Sequence, residues 1–333
     1  MNIGLYDADG HNYPSLPLMK ISAYHKSRGD QVEWAIPMMH YDIVYVSRVF
    51  GDEYTNFDPT MIFNADQVFF GGTGFAIKVR DGKEVFEKKD DPDLPNEIEH
   101  IYPDYDLYPE LTKDTAYGFL TRGCPNNCPF CIVTQKEGRV SHKVADLSEW
   151  WRDQKNIELM DANLLACRER NDLLDQLADS GSWVNINQGL DARFINEDVI
   201  ERLKRVKIKR VHFAFDLMKN EKRIIEGLRL YKEATGIDRR SAIVYILTNY
   251  NTTLAEDIYR VKSVIDLGYD PDVRIYRKET APRAVRDLQR WCNSPMIRRS
   301  CELEDYAPRK DGKTFRALYL TDTKSEGVKL NEG

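Results

Sequence analysis

Three of the six cysteines fall within eight residues, in the run Gly118-Phe119-Leu120-Thr121-Arg122-Gly123-Cys124-Pro125-Asn126-Asn127-Cys128-Pro129-Phe130-Cys131. Thiols spaced C-x3-C-x2-C on one tight loop can converge on a single inorganic centre. A four-iron, four-sulfur cubane ordinarily takes four cysteines, so three leave one iron open for a substrate or cofactor. The competing reading is a zinc site completed by His142 or Cys167, since tetrahedral thiolate sites also use close cysteine spacings. A disulfide framework would spread its cysteines and need an oxidising compartment. Cys167 lies in an amphipathic run and reads as core; Cys292 and Cys301 read as plain buried or surface thiols.

The elements around this run fix where it would sit. Strand-like segments at Ala116–Leu120, Ile157–Met160, Trp183–Ile186, Val211–Phe215, Ala242–Leu247 and Val273–Tyr276 are separated by helical runs at Leu147–Gln154, Leu164–Ala178, Asn196–Val206, Glu221–Ala234 and Leu254–Leu267. Six strands alternating with helices imply a parallel sheet with right-handed crossovers, and a six-fold partial version of the (β/α) barrel is the economical architecture. The cysteine loop then follows the first strand, at the strand ends where such folds bind ligands. Pro282–Trp291 predicts one more helix, and the polar end from Lys313 reads as a fraying tail.

The cysteine spacing, the aromatic residue just before the last cysteine and the six-strand pattern resemble the radical S-adenosylmethionine (SAM) superfamily, over roughly Thr115 to Tyr276. That resemblance implies a [4Fe-4S] cluster held by Cys124, Cys128 and Cys131. SAM would chelate the open iron through its amino and carboxylate groups and be cleaved reductively to a 5′-deoxyadenosyl radical. Phe130 would contact the adenine. Asp161 and Asn163 follow strand two where the family places a Gly-Gly-Glu segment near the SAM amino group; that form is absent, and either residue could instead cap the next helix. Gln188 and Asp191 after strand three and Asp216 after strand four are polar groups at the rim. Each could also be a turn former, and Arg193 could meet the SAM carboxylate or be a solvated charge.

The first ninety residues alternate strand and helix signals: Asn2–Tyr6, a helix over Ser15–Ser27, then strands at Gln31–Ala35, Tyr41–Val46 and Gln67–Phe70. A small parallel α/β domain before the barrel resembles the cobalamin-dependent members. Their stations D-x-H-x-x-G, S-x-L and G-G are met here by Asp9-Gly10-His11-Asn12-Tyr13-Pro14, Ser47-Arg48-Val49 and Gly71-Gly72. Pro14 replaces the glycine and Arg48-Val49 departs from S-x-L, so a scaffold without a corrinoid is favoured over a cobalamin carrier. Methylthiotransferases carry cysteines in this domain, whereas this chain has none before Cys124.

Charge divides at the same boundary. Residues 1–120 carry 10 Lys/Arg against 21 Asp/Glu, and residues 121–333 carry 38 against 33. The net charge of −6 argues against a general nucleic-acid binder. Two basic groups remain notable: Arg202, Lys204, Arg205, Lys207, Lys209 and Arg210, and then Tyr276, Arg277, Lys278, Arg283, Arg286 and Arg290. The first could attract RNA but is ordinarily solvated surface; the second would suit a phosphorylated or carboxylated substrate, or a closing segment that pairs with the acidic first module. No apolar run is long enough to span a membrane and the N-terminus has no signal-peptide pattern, which gives a cytoplasmic expectation.

The expected organisation is an α/β chain: a Rossmann-like, cobalamin-binding-like domain at 1–90, a linker at 91–114 that wraps rather than packs, a partial (β/α)6 radical SAM barrel at 115–280 and a helical or irregular extension at 281–333. The expected function is radical SAM chemistry on an unidentified substrate, supplied with electrons by a reductase or a flavodoxin or ferredoxin. The alternatives are a cobalamin-dependent radical SAM methyltransferase and a non-catalytic zinc or iron-sulfur protein that binds nucleic acid.

Overall fold

The structure, a computed structural model, describes residues 1–10, 12–51, 54, 55, 57, 58, 60–80 and 83–320. The chain is mixed α/β and divides into two compact units, residues 1–189 with 201–209 and residues 190–200 with 210–320 of those described.

The first unit opens with a parallel sheet. Strands β1 (Asn2–Asp7), β2 (Gln31–Trp34), β3 (Tyr41–Ser47) and β4 (Ala65–Gly71) lie in the order β2-β1-β3-β4. One face carries Ile3 and Leu5 against Leu18 and Ile21 of helix α1 (Leu16–Ser27). Pro17 sits in the first turn of α1, where its missing N–H costs nothing. The other face buries Tyr41, Val44 and Val46 under Phe57, Phe63 and Phe75. An antiparallel hairpin follows, β5 (Ile77–Arg80) and β6 (Lys83–Phe86), which the sequence reading missed because neither strand alternates cleanly.

Residues 91–114, expected to wrap without packing, instead cover α1. Leu94, Ile98 and Leu107 join its apolar cluster. Ser22 and Lys26 both donate to the Asp104 carboxylate, at 2.5 and 2.6 Å, and Lys20 donates to Glu99 at 2.8 Å. The acids that look like a solvated linker in the sequence are partners for the polar edge of α1.

A six-stranded parallel sheet follows, built from β7 (Thr115–Gly118), β10 (Asn156–Leu159), β11 (Trp183–Ile186), β12 (Lys207–Ala214), β13 (Ala242–Thr248) and β14 (Asp270–Ile275) in sequential order. Alternate residues fill its core: Ile157 and Leu159, Val184 and Ile186, Val211 and Phe213, Val244 and Ile246 are all buried. Between β7 and β10 a two-rung antiparallel ladder joins β8 (Thr121–Arg122) to β9 (His142–Lys143). The crossovers include α2 (Val133–Glu137), α3 (Arg170–Ser180), α4 (Glu197–Arg205), α5 (Glu221–Thr235) and α6 (Leu254–Asp266).

Two expected helices are cut short. Leu147–Gln154 yields only a 3-10 turn over Leu147–Glu149, closed by a capping box in which Asp146 and Glu149 satisfy each other's backbone. Leu164–Ala178 breaks after a 3-10 turn at Leu164–Ala166, because Cys167 turns extended (φ −69°, ψ 143°) and the helix restarts at Arg170. Beyond β14, helix α7 (Arg283–Asn293) buries Val285, Leu288, Trp291 and Cys292. The tail expected to fray from Lys313 forms a short helix at Phe315–Tyr319, anchored by the fully buried Phe315; residues 321–333 lie outside those described. Among the described residues no helix is long and apolar enough to cross a membrane.

Candidate metal and cofactor centre

The cysteine loop leaves the C-terminal end of β7 and is closed at its neck by the β8–β9 ladder, in register Thr121 with Lys143 and Arg122 with His142. Below the first thiol, Glu137 of α2 accepts from Arg122 at 2.8 Å and from the Gly123 amide at 3.1 Å, and the Cys124 amide donates to Gly138 at 3.2 Å. Gly123 is required there: its φ is +88°, and a Cβ would lie 2.2 Å from the Val140 carbonyl oxygen. The Arg122 guanidinium also sits 3.4 Å from the Phe119 ring centroid.

Within the loop Asn127 adopts φ +45° and the Cys131 amide donates to the Cys128 carbonyl at 3.0 Å. All three thiols are half-buried, and none of the six cysteines is in a disulfide. Phe130, between Cys128 and Cys131, is half-buried as well. Among the described residues, no three His, Cys, Asp or Glu side chains converge closely enough to hold a metal ion.

Asp161 and Asn163, at the end of β10, hold the loop's root from below. The Asp161 carboxylate is 1% exposed and accepts from the Leu120 amide at 2.8 Å, the Thr121 amide at 2.7 Å and the Thr121 hydroxyl at 2.5 Å. Burial pushes its carboxyl up to about 7, against the pull of those three donors. Asn163 spends its Oδ1 on the Ala166 amide at 3.2 Å, capping the 3-10 turn, and this fixes Nδ2 toward the Cys124 sulfur at 3.5 Å. Its carbonyl accepts from Ser141 at 2.8 Å, tying the far end of the cysteine loop to the same residue. The expected cap and a contact with the cysteine loop are thus both made by Asn163.

The remaining candidates are spread over other strand ends. Gln188 is exposed in the turn after β11. In the second unit, Arg193 forks onto Asp191 at 2.8 and 2.6 Å, and Asp191 also accepts from the Arg193 amide at 3.2 Å. Asp216 follows β12 and accepts from the Leu247 amide at 2.9 Å; burial raises its carboxyl above the ordinary range. The residue behind Asp216 escaped the sequence reading. Arg260 of α6 is fully buried, donates to the carbonyls of Phe215, Asp216 and Leu247, and pairs with Asp257 at 2.5 Å. An Asp and an Arg three apart on a helix read as a solvated pair, so no sequence signal marked this one.

Of the two residues considered as a fourth zinc ligand, Cys167 is engaged elsewhere, whereas His142 keeps Nε2 for another partner. Cys167 is buried and its sulfur donates to Glu169 at 3.2 Å; burial pushes that thiol up to about 11, away from the thiolate form a metal needs. His142 Nδ1 lies 3.1 Å from the Val140 carbonyl.

At the corrinoid stations, His11 lies outside the described residues. Ser47, Asp9 and Gly72 meet the chain itself. Ser47 Oγ is 2.9 Å from Ser15 Oγ, and Asp9 accepts from the amides of Val49 and Phe50 at 2.6 and 3.2 Å. A Cβ on Gly72 would lie 2.2 Å from the Arg48 carbonyl oxygen, whereas Gly71 faces open space. Gly72 is therefore explained by close backbone packing. No protein-family model matches the sequence, and no curated protein matches it.

Proposed function

We propose that this chain is a radical SAM enzyme in which Cys124, Cys128 and Cys131 hold a [4Fe-4S] cluster. The observation that carries the reading is the cysteine loop itself: three half-buried thiols at C-x3-C-x2-C spacing, projected from the end of the first strand of a six-stranded parallel sheet, with an oriented amide donor on one sulfur. The donor set suits the group, since thiolates are its ordinary ligands and hydrogen bonds to sulfur tune it. When bound, the cluster supplies the electron for reductive cleavage of SAM, and a flavodoxin- or ferredoxin-type donor would replenish it.

The protein's own residues hold, orient and shield. The β8–β9 ladder, Glu137 and Asp161 fix the loop's root beside Cys124, and ordering Cys128 and Cys131 around a cluster would cost conformational entropy that binding must offset. Asn163 orients Cys124. Phe130 would contact the adenine, and Gln188 is the candidate for its ribose. The reading gives the N-terminal domain a scaffolding role, because Asp9, Ser47 and Gly72 already bind the chain's own groups.

Metal analysis of anaerobically reconstituted protein tests the assignment. About four iron and four sulfide per chain are expected, lost in Cys124→Ala, Cys128→Ala and Cys131→Ala and kept in Cys167→Ala, Cys292→Ala and Cys301→Ala. Stoichiometric zinc in place of iron would refute it.

A further inference from the structure

The two basic runs of the sequence part company in the structure. The first, around α4, is met by acids: Arg205 pairs with Asp175 and Asp179 at 2.6 and 2.8 Å, and Lys204 with Glu201 at 3.1 Å. Between residues 276 and 293 there are five cations, Arg277, Lys278, Arg283, Arg286 and Arg290, and only two acids, Glu279 and Asp287. Asp287 is 2% exposed, pairing with Arg283 at 3.1 Å and accepting from the Tyr319 hydroxyl at 2.6 Å.

These cations share one surface of the second unit. Arg283, Arg286 and Arg290 stand at i, i+3 and i+7 of α7, opposite the stripe of Val285, Leu288, Trp291 and Cys292 that the helix buries. Arg286 donates to the Glu279 carbonyl at 2.9 Å, which fastens the first turn of α7 to the turn bearing the exposed Arg277 and Lys278. Arg277 adopts φ +47° and carries its guanidinium 5.4 Å from the Tyr276 ring. Tyr276 meets Tyr250 edge-on at 4.9 Å and is held by Asn249 Nδ2 on its carbonyl at 2.8 Å. Both tyrosines are half-buried.

From this juxtaposition we infer that the α7 surface binds a single-stranded nucleic acid, phosphates on the arginine row and a base against the Tyr250–Tyr276 pair. Arg283 to Arg290 spans about 10 Å of helix at 1.5 Å per residue. A row of that length can follow a few consecutive phosphates of one strand. Arginine rather than lysine dominates, and its planar fork matches phosphate oxygens bidentately. The aromatic pair beside Arg277 is what favours a polynucleotide over an acidic protein, since bases stack and acidic side chains do not. The net −6 of the chain is compatible with this, because binding is governed by the local field at the surface met.

Fluorescence anisotropy of the full chain with labelled 12-nucleotide RNA and DNA of one sequence tests the inference, and it needs no cluster, so its failure leaves the radical SAM reading untouched. Five phosphate contacts at about 0.7 each give a slope of about −3.5 in log K against log salt, a loss of about 100-fold between 50 and 200 mM. Replacing Arg283, Arg286 and Arg290 together by Gln should flatten the slope to about −1.4. Lys278→Gln alone, which touches no buried partner, should remove about 0.7 of it. Tyr250→Ala should weaken binding at least about fivefold without changing the slope. Binding of RNA, of DNA or of both supports the inference, the preference naming the natural strand. Absence of salt-dependent binding overturns it. So does polyglutamate competing as well as RNA with Tyr250→Ala silent, which would make the surface a protein-docking face.

Discussion

Replacing Asp161 by Asn separates two forces that meet on one carboxylate. Three donors favour the ionised form, while a 1% exposed position penalises it, and the balance lies at about 7 against an ordinary value of 3.8. A folded-state value above the unfolded one means that the group's stabilising contribution is fully present below about pH 3.8 and is lost as pH rises through about 7. Between pH 5 and pH 8 the native chain should therefore lose about 2.5 kcal/mol that the non-titrating Asn variant does not lose. The Asn amide adds a pH-independent offset of about 1–3 kcal/mol, because its single oxygen cannot serve all of the donors of Leu120 and Thr121. The informative quantity is thus the change in the gap. Urea unfolding of both proteins at pH 5, 6.5 and 8 reads it directly, with hydrogen exchange at Leu120 and Thr121 reporting on the loop root. A gap that stays flat across this range would show that the three donors keep Asp161 ionised throughout, and the reasoning from burial would fall.

Asn163→Leu should leave the iron content intact while lowering the midpoint potential of the reconstituted cluster, since it removes the amide donor from the Cys124 sulfur; an unchanged potential by redox-titrated EPR would deny the contact a role. Gly123→Ala should cost more than about 1 kcal/mol through its positive φ and the 2.2 Å approach to Val140, read as faster proteolysis of the 123–141 loop. Gly72→Ala should destabilise the N-terminal sheet by similar crowding against Arg48, with Gly71→Ala, whose Cβ meets open space, as the silent control. Phe130→Ala should weaken SAM binding by about 1 kcal/mol, several-fold in Kd by calorimetry.

Much of this architecture was legible in the sequence because parallel strands are buried runs between amphipathic helices. Trp183–Ile186 was bounded as expected, and the other five strands of the large sheet fall within a few residues of their expected limits. The misses fall where strands are short or irregular, where side chains reach far along the chain, or where single backbone angles decide. The β8–β9 ladder is two residues per strand, too short to leave a periodicity. The acidic segment around Asp104 looks like a linker until Ser22 and Lys26 are seen to need its carboxylate. Residues 164–178 carry a continuous helical pattern, yet the cap made by Asn163 and the extended Cys167 break it. At the candidate centre, the cysteine spacing was plain, whereas the amide of Asn163 on Cys124 and the buried Arg260 behind Asp216 are tertiary facts.

The central claim is that the cysteine loop supports reductive cleavage of SAM. It is tested most directly by incubating the reconstituted full-length chain with SAM and dithionite under anaerobic conditions and quantifying 5′-deoxyadenosine. The account predicts time-dependent formation of 5′-deoxyadenosine by the native chain and none by Cys124→Ala, Cys128→Ala or Cys131→Ala. A fully iron-loaded chain that binds SAM and yields no 5′-deoxyadenosine, or equal formation by a cysteine variant, would contradict it.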